Sequence, residues 1–340
     1  MLKLCRFVVA MLLLAGGGAM AADGAQPVLT GDLGIHDPTM IVVDGTYVAY
    51  YTGQEGGLFQ GAIKAKTSAD GLTWKDMGAI GKGLPAWVKP ALGVKPPNIW
   101  APTVSKHGDT YYLYYAVSIF GMNLSAIGLM TNPHLDPAHP GDGWTDQGLV
   151  LKSGMGDKFN AIDPFRLDTP DGRAWLSYGS YWDGIKLREL DPKTGLLKGG
   201  DDTAYSLATR FGGAIEASSL LAHDGHYFLF VSFDRCCAGV ASTYRIMVGR
   251  ADAISGPYLD EKGQPMLKGY ATQVQRSDGR FIGPGGQEPF VGPHGEDMLV
   301  YHYYDGQDLG KSKLGIAPIH WTADGWPSLD PLPPSAASSN

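Results

Sequence analysis

The chain has 340 residues, 44% of them hydrophobic and 18% charged, a composition that excludes a disordered or fibrous protein. Its 48 glycines and 23 prolines exclude a helical bundle and suit many short strands joined by turns. A formal net charge of −7 excludes a strongly basic nucleic-acid binder, since no positive field is available to hold a phosphate backbone.

In chain order the first element is an export signal over residues 1–22. Lys3 and Arg6 precede an apolar run from Phe7 to Ala15, and Ala19-Met20-Ala21 supplies the small-x-small pattern at which a signal peptidase cuts. The run falls well short of the roughly 20 residues a membrane crossing needs. No later segment comes closer, so the expected product is a soluble, secreted or periplasmic protein with no membrane contact after cleavage. Cys5 leaves with the signal, as does the Gly16-Gly17-Gly18 run, and loss of Lys3 and Arg6 makes the exported chain more acidic.

After the signal one pattern recurs. Asp37-Pro38-Thr39-Met40 opens an alternating strand, Asp44-Gly45 turns it, and a tyrosine-rich strand to Tyr51 follows. The same order returns from Ala101-Pro102-Thr103 with a turn at His107-Gly108-Asp109, and from Asp163-Pro164-Phe165 with a turn at Asp171-Gly172. It returns again from Glu216-Ala217-Ser218 with Asp224-Gly225, and from Glu288-Pro289-Phe290 with His294-Gly295. The copies start about 50 to 70 residues apart, room for about four strands each. Such radial repetition leaves only short, protected sheet edges. It predicts an all-β, five-bladed β-propeller over residues 23–330, with a β-sandwich as the weaker alternative and residues 331–340 as a frayed tail.

Four of the five copies open on an acid: Asp37, Asp163, Glu216 and Glu288. Equivalent positions in successive blades lie at one radius and height, so these carboxyls are expected to face one another across a small mouth. A turn acceptor for backbone N–H groups is the ordinary use of such an acid, but Asp44, Asp171 and Asp224 already fill that use. Two carboxyls flanking a bond, one ionised and one kept protonated, are the minimum equipment for glycosidic hydrolysis. A third acid nearby raises the proton donor's pKa by repulsion.

Cys236 and Cys237 are adjacent and close no useful loop; they either form a vicinal bridge or stay as buried thiols, and a zinc site is not expected without a neighbouring histidine. The Gly283–Gly286 run lacks the strand-loop-helix setting of a phosphate cradle, so no nucleotide cofactor is expected.

The runs Ile35-His36-Asp37-Pro38-Thr39, Asn98-Ile99-Trp100-Ala101-Pro102, Asn160-Ala161-Ile162-Asp163-Pro164, Gly213-Ala214-Ile215-Glu216-Ala217 and Tyr301-His302-Tyr303-Tyr304-Asp305 resemble, in order, the arabinanases of glycoside hydrolase family 43. The resemblance implies a five-bladed propeller and an inverting hydrolase acting on α-1,5-linked arabinan, a neutral plant cell-wall polysaccharide, or on its oligosaccharides. It matches Asp37 to the general base, Glu216 to the general acid and Asp163 to the acid that tunes and orients Glu216. An inverting pair is expected about 6.5 to 9.5 Å apart, leaving room for water. Trp100 matches a sugar-stacking tryptophan, against core packing as its ordinary use. Phe120, Tyr181 and Trp182 are expected in the cleft wall, and His36, Asn160 and Glu288 join them as candidate substrate-binding residues. His302 matches a histidine near the central axis that helps hold calcium or a similar ion among waters. The chain departs from the pattern at Gly283-Pro284-Gly285-Gly286, where the family carries a histidine after Gly-Pro-Gly. Endo action and a monomer are the expectation. The alternatives are an exo-acting arabinanase, an arabinofuranosidase or β-xylosidase, and, from another class, a carbohydrate-binding propeller without catalysis. The loops Gly53–Gly61 and Gly81–Pro97 would decide between open and blocked cleft ends.

Overall fold

The computed structural model describes residues 24–54, 61–81 and 83–334; the export signal over residues 1–22 lies outside them. Strands β1 (Thr30–Gly31), β2 (Thr39–Val43), β3 (Thr46–Gln54), β4 (Gly61–Ser68) and β5 (Thr73–Ala79) form the first sheet, in the order β1-β5-β4-β3-β2. A short helix, α1 (Val88–Leu92), precedes the second blade: β6 (Asn98–His107), β7 (Thr110–Ser118), β8 (Ser125–Asn132) and β9 (Thr145–Ser153). The third holds β10 (Phe165–Asp168), β11 (Ala174–Tyr178), β12 (Ile185–Leu190) and β13 (Tyr205–Ala208). The fourth holds β14 (Ile215–His223), β15 (His226–Phe233), β16 (Arg245–Ala251) and β17 (Thr272–Gln275). The fifth closes with β18 (Phe281–Val291), β19 (Asp297–Asp305), β20 (Lys311–Trp321) and β21 (Pro327–Leu329). Within each blade the four successive strands pair antiparallel, the pattern of a five-bladed propeller, as the repeat predicts.

The turns behave as their residues dictate. Asp44-Gly45 and Asp224-Gly225 both take positive φ at both positions, the two-residue hairpin geometry that matches strand twist.

The apolar residues pack between neighbouring blades. Tyr50 and Ile63 of the first blade meet Val104 and Tyr115 of the second, Tyr114 meets Leu176 of the third, and Ile185 meets Leu229 of the fourth. Phe230 then meets Tyr301 of the fifth, and Met40 meets Val300 to complete the circle. Second strands are covered on both faces, which is why Tyr111–Ser118 is buried at every position and reads as a continuous apolar run. Each fully buried side chain of this kind contributes roughly 1.5 to 3 kcal/mol. With the apolar surface spent between blades, the axis is left for polar groups.

The ring is closed by the chain ends. Gln26 N–H donates to Pro331 O at 2.8 Å and its side-chain amide donates to Asp330 O at 2.8 Å. Leu314 of the last blade donates to Leu33 O at 2.9 Å, and Leu332 packs on the core between blades four and five. The tail is therefore pinned through residue 332 rather than frayed from residue 331, because its carbonyls satisfy an N-terminal donor.

Candidate active site

The five innermost strands enter the axis through five residues with left-handed backbone: Asp37 (φ 46°), Ala101 (41°), Asp163 (54°), Ala217 (52°) and Gly286 (58°). Four of these are not glycine, an uncommon geometry for side-chain-bearing residues and a frequent mark of functional sites. These residues and their successors ring an axial cavity of about 20 Å³, room for one water.

The sequence register is thus right for the first three blades and needs correction in the last two. The residues equivalent to Asp37 and Asp163 are Ala217, one past Glu216, and Gly286, two before Glu288. In blades two, four and five the left-handed residue sits inside a bulge, between Trp100 and Thr103, Glu216 and Ser219, and Gly285 and Glu288, so in blade four the acid stands just before the bulge and in blade five just after it. Glu216 still reaches the same mouth. Glu288 lies further along its strand, accepts a hydrogen bond from Thr103 Oγ1 at 3.1 Å and lines the axial cavity, so it is an axial residue and not part of the mouth. Gly286 is demanded by its neighbours: a Cβ there would sit 2.7 Å from His302 Nδ1 and 3.0 Å from Asp37 Oδ1. The adjacent Gln287 takes Ser232 Oγ at 2.8 Å and donates to Ala217 O at 2.8 Å, tying blade five to blade four.

Asp37 is held on both oxygens. Oδ2 accepts from Thr52 Oγ1 at 2.9 Å, and Thr52 in turn accepts Ala101 N–H at 2.7 Å. Oδ1 lies 2.9 Å from His36 Nδ1, while His36 Nε2 meets the Tyr304 hydroxyl at 2.9 Å. Burial alone would raise the Asp37 carboxyl, but the His36 charge and hydrogen bond, with help from His302 and Thr52, hold it down at about 2. Burial lowers His36, but the Asp37 charge, the Asp37 hydrogen bond and the Glu216 charge together outweigh it, so the imidazole is raised. Asp37 is a carboxylate at any ordinary pH.

Glu216 has the opposite setting. Burial raises its pKa; hydrogen bonds from the Tyr244 hydroxyl and from Ser180 Oγ, 2.7 Å away, oppose that, and the Asp37 charge adds to it. Asp163 is raised well above the carboxylate range by burial and then by the Glu216 and Asp37 charges. Its Oδ2 accepts Ala217 N–H at 2.9 Å, so it fixes the backbone that carries Glu216. Two carboxyls are pushed up together while a third is pushed down, the division of labour that acid–base chemistry at one bond requires.

The other candidates separate into those at the mouth and those elsewhere. Trp100 meets Phe120 edge to face, with ring centroids 6.3 Å apart, and Phe120 is 69% exposed, a large apolar face left to solvent beside the site. Tyr181 and Trp182 both take positive φ in the turn between β11 and β12, where Tyr181 N–H donates to Ile215 O at 2.8 Å and the Glu216 charge reaches the Tyr181 hydroxyl. Asn160 is buried and its amide oxygen accepts Ser125 Oγ at 2.6 Å, which fixes the side chain in an internal network by its oxygen. Cys236 and Cys237 form a vicinal disulfide, and Cys237 is exposed, not a buried thiol. His36 Nε2 does lie 3.9 Å from Cys237 Sγ, but a sulfur in a disulfide is no thiolate ligand.

His302 is fully buried and stacks on His36 with centroids 3.9 Å apart. Its Nδ1 lies 3.1 Å from the Asp37 N–H, and its Nε2 has no hydrogen-bond partner. Among the described residues, His36, Asp37 and His302 gather ligand atoms within 4.8 Å of one another. An orphaned imidazole nitrogen fits a cation completed by water; it is not the cage of six to eight oxygens that calcium takes from proteins. Nδ1 accepts the Asp37 N–H, which leaves the ring proton on Nε2, so a cation at Nε2 would require that proton to move to Nδ1 and the Asp37 N–H bond to be given up.

Thr52, Ser180, Tyr244 and Tyr304 hold the working carboxyls, and sequence reasoning does not single them out. Tyr304 stands inside a quoted run, but nothing in its spacing marks its hydroxyl as a partner of His36.

Comparison with known proteins places this geometry. The sequence pattern of glycosyl hydrolases family 43 matches residues 25–327. The chain belongs to that family. It is 41% identical, over 86% of its length and 87% of the relative's, to the extracellular endo-α-(1→5)-L-arabinanase 1 of Bacillus subtilis. It is 34% identical, over 87% of its length and 86% of the relative's, to the extracellular exo-α-(1→5)-L-arabinofuranosidase of Cellvibrio japonicus. The solved endo-arabinanase of Bacillus licheniformis superposes with a TM-score of 0.81 at 41% identity, covering 89% of this chain and 99% of that one.

One stability prediction follows from Glu288. Burial raises its carboxyl well above the usual range, so the folded state binds a proton that the unfolded chain releases near its ordinary pKa. That contribution is complete below the unfolded value and is lost as pH rises towards the folded one. Glu288→Gln removes the loss: calorimetry should find it melting about 2 °C above wild type at pH 8 and level with it at pH 4.

Proposed function

We propose that this protein is an exported, inverting hydrolase of the α-1,5-L-arabinofuranosidic bonds of arabinan, with endo action. Asp37 takes a proton from a water on one face of the sugar, Glu216 protonates the leaving oxygen on the other, and Asp163 keeps Glu216 protonated and in place. The observation that carries this reading is the bonded setting of the three acids: Asp37 held by Thr52 and His36, Glu216 by Tyr244 and Ser180, and Asp163 on the Ala217 N–H beside Glu216. Both relatives above are named for action on α-1,5-linked arabinose and as extracellular, which supports the substrate class and secretion.

Endo action is favoured by one loop. Residues 81–97 carry α1, whose Val88 and Leu92 pack into the core between the first two blades, while Lys152 of β9 donates to Ala91 O at 2.8 Å. The helix of that loop packs against β8 and β9, the outer strands of blade two, rather than against the axial strands that carry the acids. The second loop in question falls largely on residues 55–60, outside the described residues. Incubation with linear debranched arabinan should give mixed oligosaccharides at the earliest times; a single small product from the start would establish exo action instead.

His302, through Nε2, is the residue that would hold a calcium or similar ion, which when bound supplies positive charge favouring ionised Asp37. The role of Asp163 is open to a separate check. Asp163 and Glu216 repel each other's ionisation as a pair, so Asp163→Asn, which leaves Glu216 as the single titrating carboxyl there, should move the alkaline limb of kcat to lower pH by about one unit. An unmoved limb would leave Asp163 with orientation alone.

A further inference from the structure

We propose that the loop between β15 and β16, residues 234–244, which carries a vicinal disulfide at its tip, sets the relative placement of the two working carboxyls, with Tyr304 and Tyr244 as positioning residues for Asp37 and Glu216. This rests on the base and acid roles proposed above. From the loop's first half, Cys237 N–H donates to the Tyr304 hydroxyl at 2.8 Å; Tyr304 meets His36 Nε2 at 2.9 Å, and His36 Nδ1 meets Asp37 Oδ1 at 2.9 Å. From its far end, the Tyr244 hydroxyl donates to Glu216 Oε1. One loop therefore grips both sides of the reacting bond.

Packing does not hold this loop in shape. Cys237 is exposed and Val240 is 58% exposed. Its form comes from covalent and polar ties instead. Thr243 N–H donates to Arg235 O at 2.9 Å, Arg235 N–H to Thr243 Oγ1 at 3.1 Å, and Ala238 N–H to Ser242 Oγ at 3.0 Å. At the tip, Cys237 takes φ 62°, a left-handed conformation that side-chain-bearing residues seldom adopt, and the bond to Cys236 restricts the pair to few alternatives. That conformation points Cys237 N–H at Tyr304. Gly310 of the neighbouring turn backs the loop so closely that a Cβ there would lie 2.5 Å from Val240 N. A tie needed only for stability could end on backbone or core; both arms of this one end on the carboxyls, one of them through His36.

The test uses the intact exported protein and linear arabinan. Iodoacetamide without reductant should leave Cys236 and Cys237 unmodified, and both should react after treatment with a phosphine reductant. The double variant Cys236→Ser, Cys237→Ser should lose kcat by about tenfold with KM within about twofold, the cost of slight misplacement at a reacting centre. Tyr304→Phe should lose a similar factor. Combined, they should lose about the same tenfold rather than a hundredfold, since both break one chain of contacts, whereas Tyr244→Phe and Tyr304→Phe should multiply. Should the cysteine variants fail to fold, folded wild type reduced and alkylated gives the same kinetics. Free thiols in the native protein, an unchanged kcat, a loss confined to KM, or multiplying effects of the cysteine and Tyr304 changes would each overturn the proposal. Failure of the underlying reading shows elsewhere, as full activity of an Asp37 variant.

Discussion

Asp37→Asn should lower kcat on linear arabinan by about a hundred- to ten-thousandfold while leaving the fold intact. The amide oxygen can still accept the Thr52 hydroxyl, and the left-handed backbone at position 37 tolerates asparagine well. What is lost is the charge. Water between base and sugar then has no acceptor for its proton, and His36 loses the carboxylate that raises its pKa. Stopped assays of reducing ends, run beside a melting curve, check it. Activity within a few fold of wild type would remove Asp37 from the base role.

Glu216→Gln separates the acid from the base. On arabinan, whose leaving group is a sugar hydroxyl, the loss should again be about a hundred- to ten-thousandfold. On an arabino-oligosaccharide bearing a dinitrophenolate leaving group, which departs without a proton, the loss should shrink to about tenfold. Asp37→Asn should hurt both substrates alike, because each still needs activated water. An equal loss on both for Glu216→Gln would mean that Glu216 is not the proton donor.

The propeller was legible because its unit is: an alternating strand, a turn and a tyrosine-rich strand make a pattern that five copies repeat. Asp37 and Asp163 were legible for the same reason, standing at one position of that pattern. Glu216 and Glu288 entered the same count although neither occupies the left-handed position, which belongs to Ala217 and Gly286. Positive φ at an alanine carries no sequence signal, and a bulge that shifts register by a residue or two carries little. Asn160 illustrates the converse: it sits three residues from Asp163 in a run that marks the site, yet Ser125 claims its oxygen. The residues that reasoning along the chain missed come from other strands or strand ends, Tyr304 from β19 and Tyr244 from just before β16. Tyr304 is 268 positions from His36, and Tyr244 is 28 from Glu216. Ring closure makes the first pair neighbours and pairing within blade four brings the second together.

The clasp between the chain ends has a consequence for how such a protein is made. Gln26, ahead of the first blade, finds its partner 304 positions later, at Asp330. Blades can form in order as the chain emerges, since each is a run of local hairpins, but the circle cannot shut until its final residues are available. Contacts of such high order are the slow ones in folding. A lock whose key is carried at the opposite end thus keeps the ring open, and its axial acids apart, until the fifth blade has been made.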